Sequence, residues 1–463
     1  MRDNPSLCIH AHFYQPPRKD PFIEEIPDEP GASPYRNWNE RILDTCYKPN
    51  TELRNFSRIS FNIGPTLTKW MSEDAPEVLE RIVSEDGVNK AIYGAGNAIA
   101  QPYNHSILPL AKAEDKRTQV KWGITAFESL FDRHPEGMWL PETAVDHETL
   151  SVLEENDIQF TILAPWQVHA LEGESPYRID LGGGRSIIAF VYHGGLSSTM
   201  SFDTFATGNA DAFAEFYLKP EIQREKPHQL LLIATDGELY GHHQPFRDKF
   251  LARLLDGAAN GIGIKPTYPA LWLKQNPVTG KARIIENTSW SCHHGVERWK
   301  GECGCTPGST WKEPLRQAFD LLDSEIAVDF YRIAHEYSLE PYQARDQYIR
   351  VVLGELDFKD WLMSISRREL SVEEYKRLSM LFNAQYACQQ MFTSCGWFFD
   401  ELSRIEPRNN IAYAAHAARL MEKTTGKDFH TRILPVLKEA VSAKTGLTAA
   451  DYFLTSYSRF SGI

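Results

Sequence analysis

Short apolar strands alternate with helical segments along the first part of this chain, and this alternation constrains the fold most strongly. The apolar runs are short enough for single strands and end in glycine, proline or polar residues. The alternation extends from residue 7 to about residue 290 of the 463 residues. It predicts an α/β domain with a largely parallel sheet, and seven or so strands suit a barrel.

The character of the sequence changes after residue 311. Long helical patterns cover residues 311–344, 346–362, 371–400 and 408–422, with hardly any strand pattern between them. These segments predict an all-α helical bundle. Since a chain of this length is expected to form two domains, we place the predicted division between a first domain at 1–305 and a helical domain at 306–463.

The predicted strand end near residue 236 carries the densest group of titratable side chains. Residues 229–245 read QLLLIATDGELYGHHQP, so an apolar run leads into Asp236 and Glu238 and then into His242 and His243. In parallel α/β folds the functional groups collect at the carboxyl ends of strands. A strand that only fills the core does not require titratable side chains, so the pattern favours an active-site strand end over a solvated turn.

A second predicted strand carries two histidines. Residues 7–13 read LCIHAHF, and the two-residue spacing places His10 and His12 on one face of the strand. The pair could bind a metal, donate hydrogen bonds to a ligand, or be paired within the core. The spacing alone leaves these three alternatives open.

A third carboxylate follows a short apolar strand in residues 137–145, which read GMWLPETAV. Glu142 comes after Trp139 and a proline, so it is either a strand-end carboxylate or an N-cap or first-turn residue of the next predicted helix, at 147–155. The sequence leaves both interpretations open. Trp166 follows another predicted strand, at 160–164, and is expected at the rim of the sheet.

Composition excludes several classes of function. The formal net charge of −13 argues against nucleic-acid binding, which needs clustered Lys and Arg. No apolar run is long enough to span a membrane, and the polar N-terminus shows no signal peptide. The seven scattered cysteines suggest reduced thiols, so the expected location is cytoplasmic. The aromatic content of 12% suits a sugar-binding cleft, but it also suits a large core.

A segment near residue 300 is rich in cysteine and histidine. It contains Cys292, His293, His294, Cys303 and Cys305, and both residue types bind zinc. Cys-x-Cys is an uncommon spacing for a structural zinc finger. The pattern therefore favours an ordered loop near the site over a zinc site, and we predict no metal and no other cofactor.

Five short motifs, in order, resemble those of glycoside hydrolase family 57. They are HAHFYQP at 10–16, a loop containing His105, WLPE at 139–142, TDGE at 235–238 and TSW at 288–290. One motif would be weak evidence, whereas five in order are specific. The resemblance implies an incomplete (β/α)7 barrel, followed by a helical bundle that completes the cleft and is most similar to that of a poorly characterised subgroup.

The resemblance also implies roles for individual residues. Glu142 would be the catalytic nucleophile and Asp236 the general acid/base. Together with the candidates above, it gives a set of substrate-binding residues that comprises imidazoles, polar side chains and aromatic stacking platforms: His10, His12, Gln15, His105, Trp139, Trp166, Glu238, His242, His243, Trp290 and Trp397.

These residues predict a retaining glycoside hydrolase that cleaves α-glucosidic linkages, α-1,4-glucan in the first instance, in an oligo- or polysaccharide substrate. A 4-α-glucanotransferase or a branching enzyme with the same site is the first alternative, because a sugar can capture the same intermediate. A metal-dependent deacetylase or mannosidase-like enzyme is more remote, because no Asp stands between the histidines of the first motif. A carbohydrate-binding protein with a dead site would be expected to lack Glu142 or Asp236. Both are present, and the oligomeric state is left open.

Overall fold

The computed structural model describes residues 5–224, 230–366 and 368–459. The polar N-terminus at 1–4 and Gln229, the first residue of the stretch that leads to Asp236, lie outside the described residues. The chain forms two compact units that are discontinuous in sequence. The first unit comprises residues 1–15, 28–102 and 127–290, and the second comprises 16–27, 103–126 and 291–463. The prediction, by contrast, divides the chain once, at residue 305.

All nine described strands belong to the first unit. They are β1 (Ser6–Phe13), β2 (Ser60–Ile63), β3 (Phe160–Leu163), β4 (Val168–Glu172), β5 (Tyr177–Gly182), β6 (Arg185–Val191), β7 (Leu230–Asp236), β8 (Lys265–Pro266) and β9 (Gly280–Ile284). The predicted strands at residues 7–13 and 160–164 are confirmed. The apolar segment at 58–64 also predicts a strand, and the three glycines at 182–184 predict a hairpin, and both are present.

Strand β1 is the centre of the first sheet. It pairs in parallel with β2 on one side and with β7 on the other, and β8 also pairs with it near its start. The register places His12 opposite Asn62 of β2 and opposite Asp236 of β7. The carboxyl ends of three parallel strands therefore bring these three side chains to one edge of the sheet.

The second sheet is mixed, with the strand order β3-β6-β5-β9-β4. Strands β3 and β6 are parallel, β5 and β6 form the antiparallel hairpin, and β9 pairs in parallel with β5 and antiparallel with β4. Single parallel bridges extend the pairing between β2 and β3, through Phe61 with Ala98, Ala100 with Met138, and Gly137 with Phe160. The predicted strand at 138–140 is therefore reduced to isolated bridges.

The short apolar run at residues 91–95, interrupted by a glycine, predicts a strand, and this prediction is wrong. A helix occupies Pro76–Tyr93, and Gly94 ends it in the left-handed conformation with φ 69°. Residues 91–93 lie exposed in the last turn of this helix, so their short apolar run before a glycine does not mark a strand. The apolar spacing of residues 65–83 predicts one helix, but the segment belongs to two, Pro65–Asp74 and Pro76–Tyr93, because Pro76 cannot continue the first.

The other helices of at least seven residues in the first unit are His147–Glu154, Gly194–Phe202, Arg247–Arg253 and Pro269–Gln275. Shorter helices lie at Trp38–Ile42, Lys48–Glu52, Ala210–Phe213, Lys219–Ile222 and Ala259–Gly261. One core cluster packs Trp139, Phe160, Phe190, Leu232 and Trp272 together, which links the two sheets by apolar contact.

The described regular elements of the second unit are helices, as the sequence predicts. They are Lys312–Glu336, Pro341–Gln347, Ile349–Val352, Phe358–Ile365, Val372–Gln390, Cys395–Phe398, Ile405–Thr425, His430–Leu437 and Ala449–Ser458, together with Ala113–Phe131, whose last turn belongs to the first unit. Helix Val372–Gln390 begins with a capping box of Ser371 and Glu374 and packs along Ile405–Thr425. Among the described helices, none has the length and apolarity needed to span a bilayer.

Candidate active site

The parallel strand ends of the first unit hold a hydrogen-bonded group around Asn62. His10 Nδ1 lies 2.9 Å from Ser60 Oγ, and His10 Nε2 lies 3.2 Å from Asn62 Oδ1. His12 Nδ1 lies 2.9 Å from Asn62 Nδ2, which also donates to Gln101 Oε1 at 2.6 Å. Asn62 thus connects both histidines across β1 and β2.

Both histidines are neutral near pH 7. Burial, followed by the proximity of His12, lowers the pKa of His10 to about 3, and burial lowers the pKa of His12 to about 4. Among the described residues, no third metal-binding side chain groups with this pair. The hydrogen bonds instead fix both rings, and of the two rings only His12 keeps some exposed surface.

Trp139 lies beneath the histidines. Its ring stacks on His10 at 4.7 Å and on His12 at 5.1 Å between centroids, and the edge of Trp290 approaches it at 5.0 Å. Trp139 has 0% of its surface exposed. This burial argues against the predicted sugar-stacking role, because the ring presents no free face and instead supports the imidazoles.

Glu142 lies in a strained turn after Pro141. Its φ is 56°, and that of Thr143 is 49°, in the left-handed region that non-glycine residues seldom adopt. The helix at His147–Glu154 is capped by Asp146, whose side chain accepts from Thr149 N at 2.7 Å. The interpretation of Glu142 as a cap or first-turn residue of that helix is therefore wrong.

Trp290 holds Glu142 by two hydrogen bonds. Its indole Nε1 donates to Glu142 Oε2 at 2.9 Å, and its backbone N donates to the Glu142 carbonyl at 3.0 Å. Both side chains are half-buried. Because Glu142 is only half-buried, its carboxylate keeps accessible surface at which a ligand can meet it.

Asp236 is the last residue of β7, and its carboxyl is a weak acid. Desolvation by the protein packed around it, followed by the charges of Glu142 and Glu238, raises its pKa to about 8. The side chain nevertheless keeps solvent-accessible surface, as an acid must if it is to reach a ligand. Near pH 7 Asp236 therefore carries a proton that it can donate.

Glu238 is buried below the site rather than exposed in it. Its Oε1 accepts from Tyr47 Oη at 2.7 Å and from Tyr14 N at 3.1 Å, and the Gln15 side chain also donates to this carboxyl. Burial raises its pKa to about 7, and these donors oppose the rise. Gln15 therefore helps to hold Glu238, and the charge of Glu238 acts on Asp236.

The two adjacent histidines follow Glu238 in a tight loop. The backbone N atoms of His242 and His243 donate to the Glu238 carbonyl at 3.1 and 3.0 Å. His242 Nδ1 lies 3.1 Å from Thr45 Oγ1, and burial lowers its pKa to about 4. His243 is more exposed, and burial lowers its pKa as well. Both are therefore neutral side chains that suit hydrogen bonding to hydroxyl groups.

Trp166 is the exposed aromatic residue among the predicted site residues of the first unit. It is 44% exposed, its Nε1 donates to the Ser289 carbonyl at 2.9 Å, and its ring meets Tyr192 edge-on at 6.1 Å. The hydrogen bond fixes the ring while leaving much of it accessible. This combination suits a flat platform for a sugar.

Two predicted site residues lie in the second unit. His105 has a left-handed φ of 54°, and its Nδ1 lies 2.6 Å from Ser394 Oγ. Trp397 is 1% exposed and packs against Phe319 at 5.6 Å. As for Trp139, this burial argues against a stacking role in the present conformation.

Sequence reasoning missed Asn62, Gln101 and Tyr47. Asn62 lies in the segment RISFNIG at 58–64 and is a fully buried polar residue in the middle of an apolar strand. A buried polar residue needs a hydrogen-bonding partner, so an asparagine within an apolar strand is the sequence feature that could have indicated this part of the site. Tyr47 and Gln101 lie in irregular or short elements, where no periodicity marks them.

Comparison with known proteins agrees with the motifs. The model of glycosyl hydrolase family 57 matches residues 9–260, and a domain of unknown function (DUF3536) matches residues 309–453. No curated protein matches the chain.

Solved structures share the fold at low identity. The exo-type maltose-forming amylase from Pyrococcus sp. ST04 has a TM-score of 0.72 at 15% identity. The match covers 97% of this chain and 88% of the amylase chain. The branching enzyme from Pyrococcus horikoshii has a TM-score of 0.61 at 15% identity and covers 97% of both chains. The alpha-amylase from Thermotoga maritima has a TM-score of 0.59 at 12% identity, and the match covers 99% of this chain and 98% of the alpha-amylase chain. Since the family model spans more than half of the sequence, this chain belongs to glycosyl hydrolase family 57 and is a glycoside hydrolase.

Proposed function

We propose that this chain is a retaining glycoside hydrolase that cleaves α-glucosidic, and first of all α-1,4-glucan, linkages. One observation carries the proposal. Near neutral pH, Asp236 keeps its proton beside Glu142, whose carboxylate is held by Trp290. A proton donor beside a fixed carboxylate is the pair that a retaining glycosidase needs. The structural neighbours, which include two amylases and a branching enzyme, support α-glucan as the substrate.

In the first step, Asp236 donates its proton to the glycosidic oxygen and the bond to the anomeric carbon breaks. Glu142 attacks that carbon and forms a glycosyl ester. Retention places the two carboxyl groups roughly 5–5.5 Å apart, close enough for direct attack. The charge of Glu142 raises the pKa of Asp236, which supports such proximity.

In the second step, Asp236 takes a proton from water, and the resulting hydroxide oxygen displaces Glu142 from the sugar. The ester has no charge on Glu142, so one of the causes that raise the pKa of Asp236 is absent in the intermediate. Asp236 is therefore favoured in its protonated form before the ester forms, as an acid catalyst must be, and in its ionised form afterwards, as a base must be.

Other side chains would bind or support the substrate. We assign hydrogen bonding to sugar hydroxyls to His12, His242 and His243, and stacking to Trp166 and Trp290. The buried His10, Trp139, Gln15 and Glu238 would position these groups. For His105 and Trp397 of the second unit, the family resemblance alone supports a role.

We also propose that the first unit is an incomplete (β/α)7 barrel. Seven parallel segments follow one another through ladders or single bridges, in the order β7, β1, β2, residues 98–100, residues 137–138, β3 and β6. The backbone N of His193, just after β6, donates to the carbonyl of Leu232 in β7 at 2.7 Å. This contact supports a closed ring in which several neighbouring segments are connected only by single bridges or by one backbone hydrogen bond.

A 4-α-glucanotransferase or branching activity is the second candidate. Solved neighbours include a 4-alpha-glucanotransferase from Thermococcus litoralis and the Pyrococcus horikoshii branching enzyme. The first step would be the same, and a sugar hydroxyl would replace water in the second.

Incubation with maltoheptaose and with amylose, followed by size separation of the products, tests the proposal. Short products alone mean hydrolysis, whereas a ladder above the starting length means transfer, and new branch points mean branching. Glu142→Gln is expected to abolish turnover, and Glu172→Gln, at an exposed carboxylate paired with Lys281, is the matched control. Wild-type turnover in Glu142→Gln would overturn the assignment.

A further inference from the structure

Four side chains of the second unit converge in the loop before helix Lys312–Glu336. They are Cys292, His294, Cys303 and Cys305, which we call the Cys3His cluster. One ligand atom from each lies within 4.8 Å of all the others. We propose that this cluster binds one Zn²⁺ ion at a structural site, independently of the glycosidase chemistry.

The interatomic distances match a zinc tetrahedron. Cys292 Sγ lies 3.8 Å from Cys303 Sγ and 3.8 Å from Cys305 Sγ. With Zn–S bonds of about 2.3 Å, the sulfur-to-sulfur edge of a tetrahedron is roughly 3.8 Å. His294 Nδ1 lies 3.5 Å from Cys305 Sγ and 4.0 Å from Cys292 Sγ, and the corresponding sulfur-to-nitrogen edge is roughly 3.6 Å.

The same distances exclude a disulfide in this conformation. All three cysteines are free, and a sulfur–sulfur bond is about 2.0 Å long. Three thiols and an imidazole nitrogen at tetrahedral spacing form a ligand set that suits Zn²⁺, because soft sulfur ligands in a tetrahedron select it over Mg²⁺ or Ca²⁺.

Two tight turns present the ligands. Gly295 N donates to the Cys292 carbonyl at 3.2 Å, and Gly295 has a φ of 75°, which favours glycine. The second turn is closed by the bond from Thr306 N to the Cys303 carbonyl at 2.9 Å. Gly304 in this turn leaves room for the His294 ring, since a Cβ there would lie 3.1 Å from His294 Cε1.

Backbone amides donate to two of the sulfur atoms of the cluster. The backbone amides of His294 and Arg298 donate to the Cys292 sulfur, and those of Cys305 and Thr306 donate to the Cys303 sulfur. Amide donors of this kind orient metal ligands and offset their negative charge.

A buried cation lies beside the cluster. Lys312 is 0% exposed, and its Nζ donates to the Arg298 carbonyl at 2.9 Å and to Thr306 Oγ1 at 3.2 Å. Thr306 Oγ1 in turn lies 3.6 Å from Cys303 Sγ. Three thiolates and Zn²⁺ leave one net negative charge, and a buried ammonium group at this position would balance it.

The site would fix the loop at 291–305. Four protein ligands leave no open coordination position, which is the arrangement of structural zinc. The loop also carries Trp299, which is fully buried and packs near Phe398 at 6.2 Å. Because His294 is exposed and Cys305 is half-buried, solvent reaches the cluster on one side, where a metal or a chelator could enter.

Elemental analysis of the full-length chain, purified under reducing conditions and dialysed against limiting zinc, tests the proposal. We expect about one zinc per chain. Cys292→Ser, Cys305→Ser and His294→Ala should each lower this content strongly, whereas the neighbouring exposed His293→Ala is the matched control and should not. His294→Cys should retain zinc, because it keeps four ligands.

Cobalt substitution of the wild-type chain gives a second measurement that does not depend on variants that fold. Binding at the cluster should produce thiolate-to-cobalt charge-transfer bands and the visible bands of tetrahedral cobalt. A wild-type chain that retains no zinc and gives only octahedral cobalt spectra would overturn the proposal, as would equal zinc content in His293→Ala and His294→Ala. Since a variant can lose zinc and keep glycosidase activity, failure of this proposal is distinguishable from failure of the proposed function.

Discussion

The indole N–H of Trp290 donates to the Glu142 carboxylate at 2.9 Å, and the backbone N–H of the same residue donates to the Glu142 carbonyl at 3.0 Å. One residue thus holds both the side chain and the strained backbone of Glu142, whose φ is 56°. Held in this way, the proposed nucleophile loses little freedom when the substrate binds, which would favour attack on a positioned anomeric carbon.

Trp290→Phe removes the indole donor and keeps an aromatic ring. We expect kcat on maltoheptaose to fall roughly tenfold to a hundredfold, because the lost free energy is that of one hydrogen bond to a charged group. Thermal unfolding should change little, because Trp290 is only half-buried. An unchanged kcat in a folded Trp290→Phe variant would show that this bond does not position the nucleophile.

The alkaline limb of the pH–rate profile should report Asp236. Its pKa is raised to about 8, so the acid form is present below that pH and activity is expected to fall above it. Glu238→Gln removes one of the charges that raise this pKa, so the alkaline limb of kcat/KM should move to lower pH.

The control for this shift is Glu172→Gln, which removes an exposed carboxylate of β4. Its alkaline limb should coincide with that of the wild type. A Glu238→Gln profile that moves to higher pH, or does not move, would contradict the assignment of this limb to Asp236.

Asp236 also predicts a cost in stability that depends on pH. Its folded pKa of about 8 exceeds the unfolded value, so between roughly pH 4 and pH 8 the folded chain binds more protons at this group than the unfolded chain. The free energy of unfolding therefore falls as pH rises from about 4 to about 8, and above pH 8 the cost of ionising Asp236 in the folded chain is fully present. Asp236→Asn should be more stable than wild type at pH 8 and show a smaller difference at pH 4, as measured by urea unfolding. The opposite trend would contradict the raised pKa.

Trp166→Ala should weaken substrate binding more than chemistry. Its exposed ring is expected to contact a sugar in both the ground state and the transition state, so KM should rise roughly tenfold with little change in kcat. Phe205→Ala removes another exposed aromatic ring, 91% accessible, and is the control. Equal KM values for the two variants would argue against a platform at Trp166.

Strand ends were predictable where an apolar run stops at polar residues. The runs before Asp236 and around His12 are short and are bounded by such residues, so the sequence indicates both the strands and the side chains at their ends. The spatial relationship between Glu142 and Trp290 was not predictable, because 148 residues separate them and only the fold brings them together.

Other features depend on packing that no local pattern records. Trp139 is predicted from the sequence as a stacking platform for sugar, but the stacking of His10 and His12 buries it. The Cys3His cluster combines Cys-x-His with Cys-x-Cys, spacings that match no common zinc finger, and only the turns at Gly295 and Gly304 bring the four ligand atoms together. Before Gly94, a short apolar run lies exposed at the end of a helix, which explains the wrong strand prediction there.

Trapping the covalent intermediate tests the central claim most directly. A fluorinated α-glucosyl fluoride slows both steps and the second more than the first, so a glycosyl-enzyme should accumulate and be located by mass spectrometry of proteolytic peptides. We predict a single label on Glu142, and none in Glu142→Gln. A label on Asp236 or Glu238, or turnover of the wild type with inversion at the anomeric carbon and no label, would contradict the account.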